Sequence, residues 1–198
     1  MRFTSFKGIG TKAHGIMAMH YSKNMKLVVG SLLSTMAAIF QSAGLFGGIG
    51  YAFSMMATGP IVLVTVISLR FGLLSYAVTT LLLMILQPSE VLVFMFTTGL
   101  LGISLGVGFK LFQTRLVVSL TGGMLLATGI FLLLYLFQFP ILGPSISSQV
   151  SFTVIGGVLL FALFYSWIWM KLSKLGMKHL NKFMVKKVLL DKDESSSS

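Results

Sequence analysis

The chain has no cysteine. Disulfides, thiolate metal sites and cysteine nucleophiles are therefore excluded. Acidic side chains are nearly as scarce. There are four, and Asp191, Asp193 and Glu194 fall in the last eight positions, leaving Glu90 alone in the first 190 residues. Paired carboxylates for acid–base chemistry cannot be assembled from that set. The three histidines are His14, His20 and His179. His14 and His20 are six apart and do not share a helix face, as ligands at i and i+4 would. No serine elbow, zinc spacing or phosphate-cradling loop with its lysine is present, so this chain alone does not hydrolyse ATP. Gly8-Ile9-Gly10-Thr11-Lys12 has neither the strand nor the spacing. An enzyme is disfavoured, and no metal or other cofactor is expected.

Charge of either sign is also sparse, at 10% of residues against 56% hydrophobic, with a mean hydropathy of +0.95. A soluble domain carries about 25% charged residues. So much apolar surface points to lipid as the solvent. What charge there is has a pattern. The fifteen Lys and Arg residues are Arg2, Lys7, Lys12, Lys23, Lys26, then Arg70, then Lys110 and Arg115, then Lys171, Lys174, Lys178, Lys182, Lys186, Lys187 and Lys192. Long uncharged apolar stretches separate these groups. If every group is cytoplasmic, each gap crosses the membrane an even number of times. The net charge of +11 does not imply nucleic acid, because the cations flank apolar spans and no soluble basic domain exists to enter a groove.

The fold class expected is all-α and polytopic, with six transmembrane helices and both termini cytoplasmic. Residues 1–26 form a basic N-terminal segment, and the first apolar stretch reads as a retained span, not a cleaved signal. The six-span domain covers 27–170, with spans near 27–46, 52–69, 72–87, 91–109, 116–137 and 150–170. Glycines 44, 47, 48 and 50 mark the first reversal. Gln87-Pro88-Ser89-Glu90 reads as a turn, since Pro88 removes a donor and biases Gln87 away from helix. None of these spans then contains a charge, which disfavours proton-coupled transport. Trp167 and Trp169 sit beside Lys171 as an interfacial anchor. Residues 171–190 read as an amphipathic basic helix on the cytoplasmic leaflet, with Lys171, Lys174, Lys178, Lys182 and Lys186 toward lipid headgroups. Residues 191–198 read as a disordered polar tail.

Three kinds of feature bear on function. Gly30, Ser34, Ala38 and Ser42 recur every four residues on one helix face. Small residues let a second helix approach closely, either one of this chain's own or one from another subunit. Uncharged polar residues gather near the outer ends of the spans. Gln41, Thr58, Thr97, Thr98, Gln138 and Gln149 are candidate contacts for a small neutral solute, with headgroup and loop polarity as the plainer explanation. Thr58-Gly59-Pro60 lies inside span two, where proline kinks a helix.

The stretch Thr58-Gly-Pro-Ile-Val-Leu-Val-Thr-Val-Ile-Ser-Leu-Arg70-Phe-Gly72, followed by Gly99-Leu-Leu-Gly102-Ile-Ser-Leu-Gly106, resembles a group of bacterial multispan proteins of unassigned function. That group is similar to the substrate-capture (S) components of energy-coupling-factor transporters, which have six helices and about this length. The likeness covers roughly residues 30–140. It implies a bacterial cytoplasmic-membrane protein that binds a micronutrient from outside, with a transmembrane coupling subunit and ATPases as partners. In that family an Ala-x-x-x-Ala face on span one meets the coupling subunit. Ser34 and Ala38 hold the matching positions here, flanked by Gly30 and Ser42. The competing reading is a non-transporting scaffold or assembly factor that holds a partner or anionic lipid through the basic C-terminal helix.

Overall fold

The computed structural model of the chain describes residues 23–137 and 152–196, with side chains placed as far as Lys178. Every element among the described residues is helical. Six helices are long and apolar enough to cross a membrane: Lys23–Phe46, Ile49–Ile67, Leu69–Leu86, Pro88–Leu111, Arg115–Leu136 and Phe152–Lys178. They mark a multi-pass membrane protein, and their starts agree with the hydropathy pattern to within about four residues.

The first reversal is made by glycine. Gly47 and Gly48 have φ of 57° and 43°, a region where a Cβ is strained. The second span is built in two pieces, Ile49–Met55 and Thr58–Ile67. At the break the Gly59 amide bonds the Met56 carbonyl at 3.1 Å, one residue short of the α-helical partner. The Met55 carbonyl accepts instead from the Tyr165 hydroxyl at 2.9 Å. The kink expected around Pro60 is thus a break just ahead of it, sealed by the sixth span.

Contacts between spans fix their relative directions. Ser75 Oγ donates to the Gly30 carbonyl and Thr79 Oγ1 to the Ser34 carbonyl, both at 3.2 Å, so the first and third spans run parallel. A Cβ on Gly102 would press on Ile61 and one on Gly106 on Thr65, so the second and fourth also run parallel. Ser166 Oγ donates to the Ser119 carbonyl at 2.8 Å, while Gly123 faces Leu163, which sets the fifth and sixth antiparallel. Gly59 lies on Trp169 and Gly176 on Leu63, aligning the second with the sixth. Directions therefore alternate along the chain. Lys23, Lys26, Arg70, Lys110, Arg115, Lys171, Lys174 and Lys178 all lie at one end of the bundle, and Glu90 lies at the other.

The second, fourth and fifth spans are the enclosed ones, with half or more of their apolar stretch buried; the first, third and sixth have a third or less. One apolar cluster joins the second, fourth, fifth and sixth spans through Val62, Val66, Leu101, Leu105, Leu126 and Trp169. A second joins the first four through Ala37, Ile61, Leu83 and Phe94. Outward faces carry Leu32, Ile39, Leu81, Ile85, Leu120 and Leu160, as a bilayer solvent requires.

The sixth span does not end near Met170. A single unbroken helix runs Phe152–Ser196, 45 residues. At 1.5 Å per residue it is about 68 Å long, roughly twice a hydrocarbon core. The segment 171–190, expected as a separate surface helix, continues the sixth span without a break. The helix also covers 191–196, within the stretch read as a disordered tail.

Candidate functional site

Near the end opposite the cations, three spans converge on one side chain. Gln41, in the last turns of the first helix, is 0% exposed. Its Nε2 donates to Ser54 Oγ at 3.0 Å and to Glu90 Oε2 at 2.8 Å. Its Oε1 accepts from Thr98 Oγ1 at 2.7 Å. The amide orientation follows from chemistry, because an ionised carboxylate only accepts. Both amide protons and the oxygen of Gln41 are engaged, as burial demands.

Local structure explains each arm. Gly44 has no side chain where the Glu90 carboxylate lies, since a Cβ there would come 2.8 Å from Oε1. Pro88 occupies the first turn of the helix Pro88–Val93, where its missing N–H costs nothing. Gln87-Pro88-Ser89-Glu90 is thus a helix start, and Glu90 belongs to the fourth span instead of a turn outside it. The carboxylate is half-buried and favourably placed at the positive end of the helix dipole. No cation among the described residues pairs with it.

Thr98 reaches Gln41 because the helix widens. Phe94–Thr98 is a π-helical turn closed by the Gly99 amide on the Phe94 carbonyl. The Tyr76 hydroxyl, from the third span, donates to the Met95 carbonyl in this turn at 2.9 Å, and its ring lies 5.4 Å from that of Phe94. Such widened turns re-aim side chains that α-helical spacing would send elsewhere. A second π-turn, Leu132–Leu136, lies close by, with Phe137 5.2 Å from Phe96.

The structure divides the sequence-predicted solute residues. Gln41 and Thr98 meet. Thr58 belongs to a separate group, 3.4 Å from the Tyr165 hydroxyl at the break in the second span. The Thr97 hydroxyl returns to the Val93 carbonyl of its own helix. Gln138 and Gln149 lie outside the described residues. Glu90 and Tyr165 were not among the predicted contacts. Glu90 was set aside by treating Pro88 as a loop residue, although an isolated carboxylate amid 190 residues was itself a signal.

The small-residue stripe is closed. Ser34 and Ala38 are each 1% exposed, and Gly30 is buried beneath Ser75 of the third span. The face expected to receive a coupling subunit is therefore covered within the chain. The carbonyls of Gly30 and Ser34 are what the third span grips, so the stripe serves internal packing. Ser42, at its end, is partly exposed with its hydroxyl buried and unbonded.

At the opposite end, the Lys171 ammonium sits 3.6 Å above the Trp167 ring. Lys174 stands within repelling distance of Arg115, and Lys110 of Lys26. The side chains of Lys182 and Lys186 lie outside the described set. No cluster of three metal-ligating side chains occurs among the described residues. Comparison with protein-family models, curated proteins and solved structures returned no match.

Proposed function

We propose that this chain is the solute-binding membrane subunit of a multi-component importer for small neutral molecules. The observation that carries the reading is the Gln41 knot: polar groups from the first, second and fourth spans, with an unneutralised carboxylate, gathered near one end of an otherwise apolar bundle. A solute with hydrogen-bond donors can exchange for the Gln41 amide at Glu90, and one with an acceptor can take the Thr98 proton. The size and span number, which resemble those of S components of energy-coupling-factor transporters, support the same reading. Since the stripe on the first span is covered, a coupling subunit with its ATPases docks on another face. The knot faces outward in a bacterial cytoplasmic membrane, with the cations inside. Reporter tags at position 143 and at the C-terminus should therefore register opposite compartments; the same compartment for both rules this orientation out.

The test is thermal stabilisation of the detergent-purified protein by neutral, micronutrient-sized solutes, since a ligand of the folded state raises stability by mass action. At least one solute should stabilise the wild type, and Thr98→Val should weaken the response about tenfold, the worth of one well-made hydrogen bond. If no solute in a broad panel acts on the wild type, the reading fails.

One observation favours a second reading, a scaffold that holds a partner protein. The helix Phe152–Ser196 extends well beyond membrane length and carries seven lysines from Lys171 to Lys192. Removing 179–198 should release such a partner while leaving solute-dependent stabilisation intact.

A further inference from the structure

The fifth and sixth spans bring cations together without an anion. Their register is set by two contacts: Ser166 Oγ on the Ser119 carbonyl, and Gly122 facing Ser166. Because the spans are antiparallel, four residues back from Ser119 is Arg115, and four residues on from Ser166 is Met170. Counting seven from Gly122 and Ser166 instead sets Arg115 level with Ser173. Arg115 therefore lies beside the turn that carries Lys171 and Lys174. No carboxylate among the described residues reaches this end, since Glu90 lies at the other. Asp191 is seventeen residues past Lys174, about 25 Å along a helix.

The surroundings are those of the headgroup layer. Leu116, Leu172 and Leu175 are exposed and apolar, facing where acyl chains would lie. Trp167, 40% exposed, stacks under the Lys171 ammonium one turn deeper. Two cations from neighbouring spans, at a similar level above an apolar surface, match one phosphate with its acyl chains below. Arg supplies a fork for two phosphate oxygens and Lys a point charge for a third. A headgroup with its own ammonium would bring positive charge back to the pair, so the complementary lipid is anionic.

We propose that the seam of the fifth and sixth spans at the basic end is a binding site for the phosphate of an anionic phospholipid, held by Arg115 and Lys174. The site is independent of the solute knot, which lies at the far end of the bundle. It is also distinct from general attraction of the basic helix to a charged surface, because it needs Arg115, a residue outside that helix.

The full chain, in nanodiscs of mixed phosphatidylglycerol and phosphatidylcholine, is released for native mass spectrometry and its retained lipids are counted. The wild type should keep one phosphatidylglycerol that phosphatidylcholine does not replace. Arg115→Gln/Lys174→Gln should bind it at least about tenfold more weakly, because two cations at a membrane surface together contribute more than the ~1.4 kcal/mol that corresponds to a tenfold change. Lys182→Gln/Lys186→Gln, with the same change in net charge, should retain it. Should the double variant elute as aggregate, Lys174→Gln alone and the charge-conserving Arg115→Lys take its place, the first expected to weaken retention and the second to keep most of it. Equal retention by the Arg115/Lys174 variant, or equal loss in the Lys182/Lys186 control, overturns the site. So does full protection of the protein by millimolar inorganic phosphate without lipid, which would make it a site for the free anion.

Discussion

Gly129→Leu should prevent the fifth span from seating and destabilise the protein by at least about 3 kcal/mol. A Cβ at Gly129 would run into the carbonyl oxygen and carbon of Phe96 on the fourth span. Overpacking against a side chain is relieved by a rotamer change and costs about 1–3 kcal/mol. Here the obstacle is backbone inside a π-turn, already committed to its own hydrogen bonds and to Tyr76. The fifth span would have to withdraw along its length, opening the contacts of Gly122 with Leu101 and Leu105 as well. Gly156→Leu on the sixth span is the matched control, since nothing lies within 4 Å of its added Cβ. That change should stay within about 1 kcal/mol, helped by leucine's better helix propensity. Denaturant midpoints in micelles, read by tryptophan emission, separate the two. Similar midpoints for both variants would contradict the close approach at Phe96.

The second large effect is expected at the knot. Gln41→Leu keeps the volume but removes three hydrogen bonds at once, leaving Ser54, Thr98 and the Glu90 carboxylate without their partner. Unsatisfied buried groups cost about 1–3 kcal/mol each, and interhelical bonds in membrane proteins fall near the bottom of that range, so a loss of about 2–4 kcal/mol is expected. Glu90→Gln keeps an acceptor oxygen and should cost about 1 kcal/mol or less. In a double-mutant cycle of Gln41→Leu with Glu90→Leu, the pair should cost less than the sum of the singles, because removing both partners leaves nothing orphaned across that contact. Additive losses would show that the Gln41–Glu90 bond contributes nothing to folding.

These two sites differ in how far the sequence discloses them. The span count and the sharing of one end by all described cations were legible, because charge stops an apolar run abruptly and each stop is an independent mark. The small-residue stripe was legible as a place of close approach. Its partner was not, since Gly30, Ser34 and Ala38 specify a smooth face and say nothing about which helix fills it. The knot was half visible. A glutamine in an apolar span is conspicuous, yet Glu90 was hidden by reading Pro88 as a turn residue when proline also begins helices. Thr98 was named as a candidate contact, but its bond to Gln41 was beyond reach of periodicity, because a π-turn between Phe94 and Gly99 shifts side chains off the 3.6-residue phase. Contacts such as Gly129 with Phe96 depend on how two spans cross, which no single span records.

The knot also sets an order on synthesis. When the first two spans enter the bilayer, Gln41 can find only Ser54, for Glu90 and Thr98 are not yet made. Its remaining amide proton and its oxygen wait in the membrane until the fourth span arrives. Closure then adds the two bonds to Glu90 and Thr98 together, so the arrival of one late helix converts a loosely held early hairpin into a locked one. A ribosome stalled after the third span would hold that hairpin in its unlocked form.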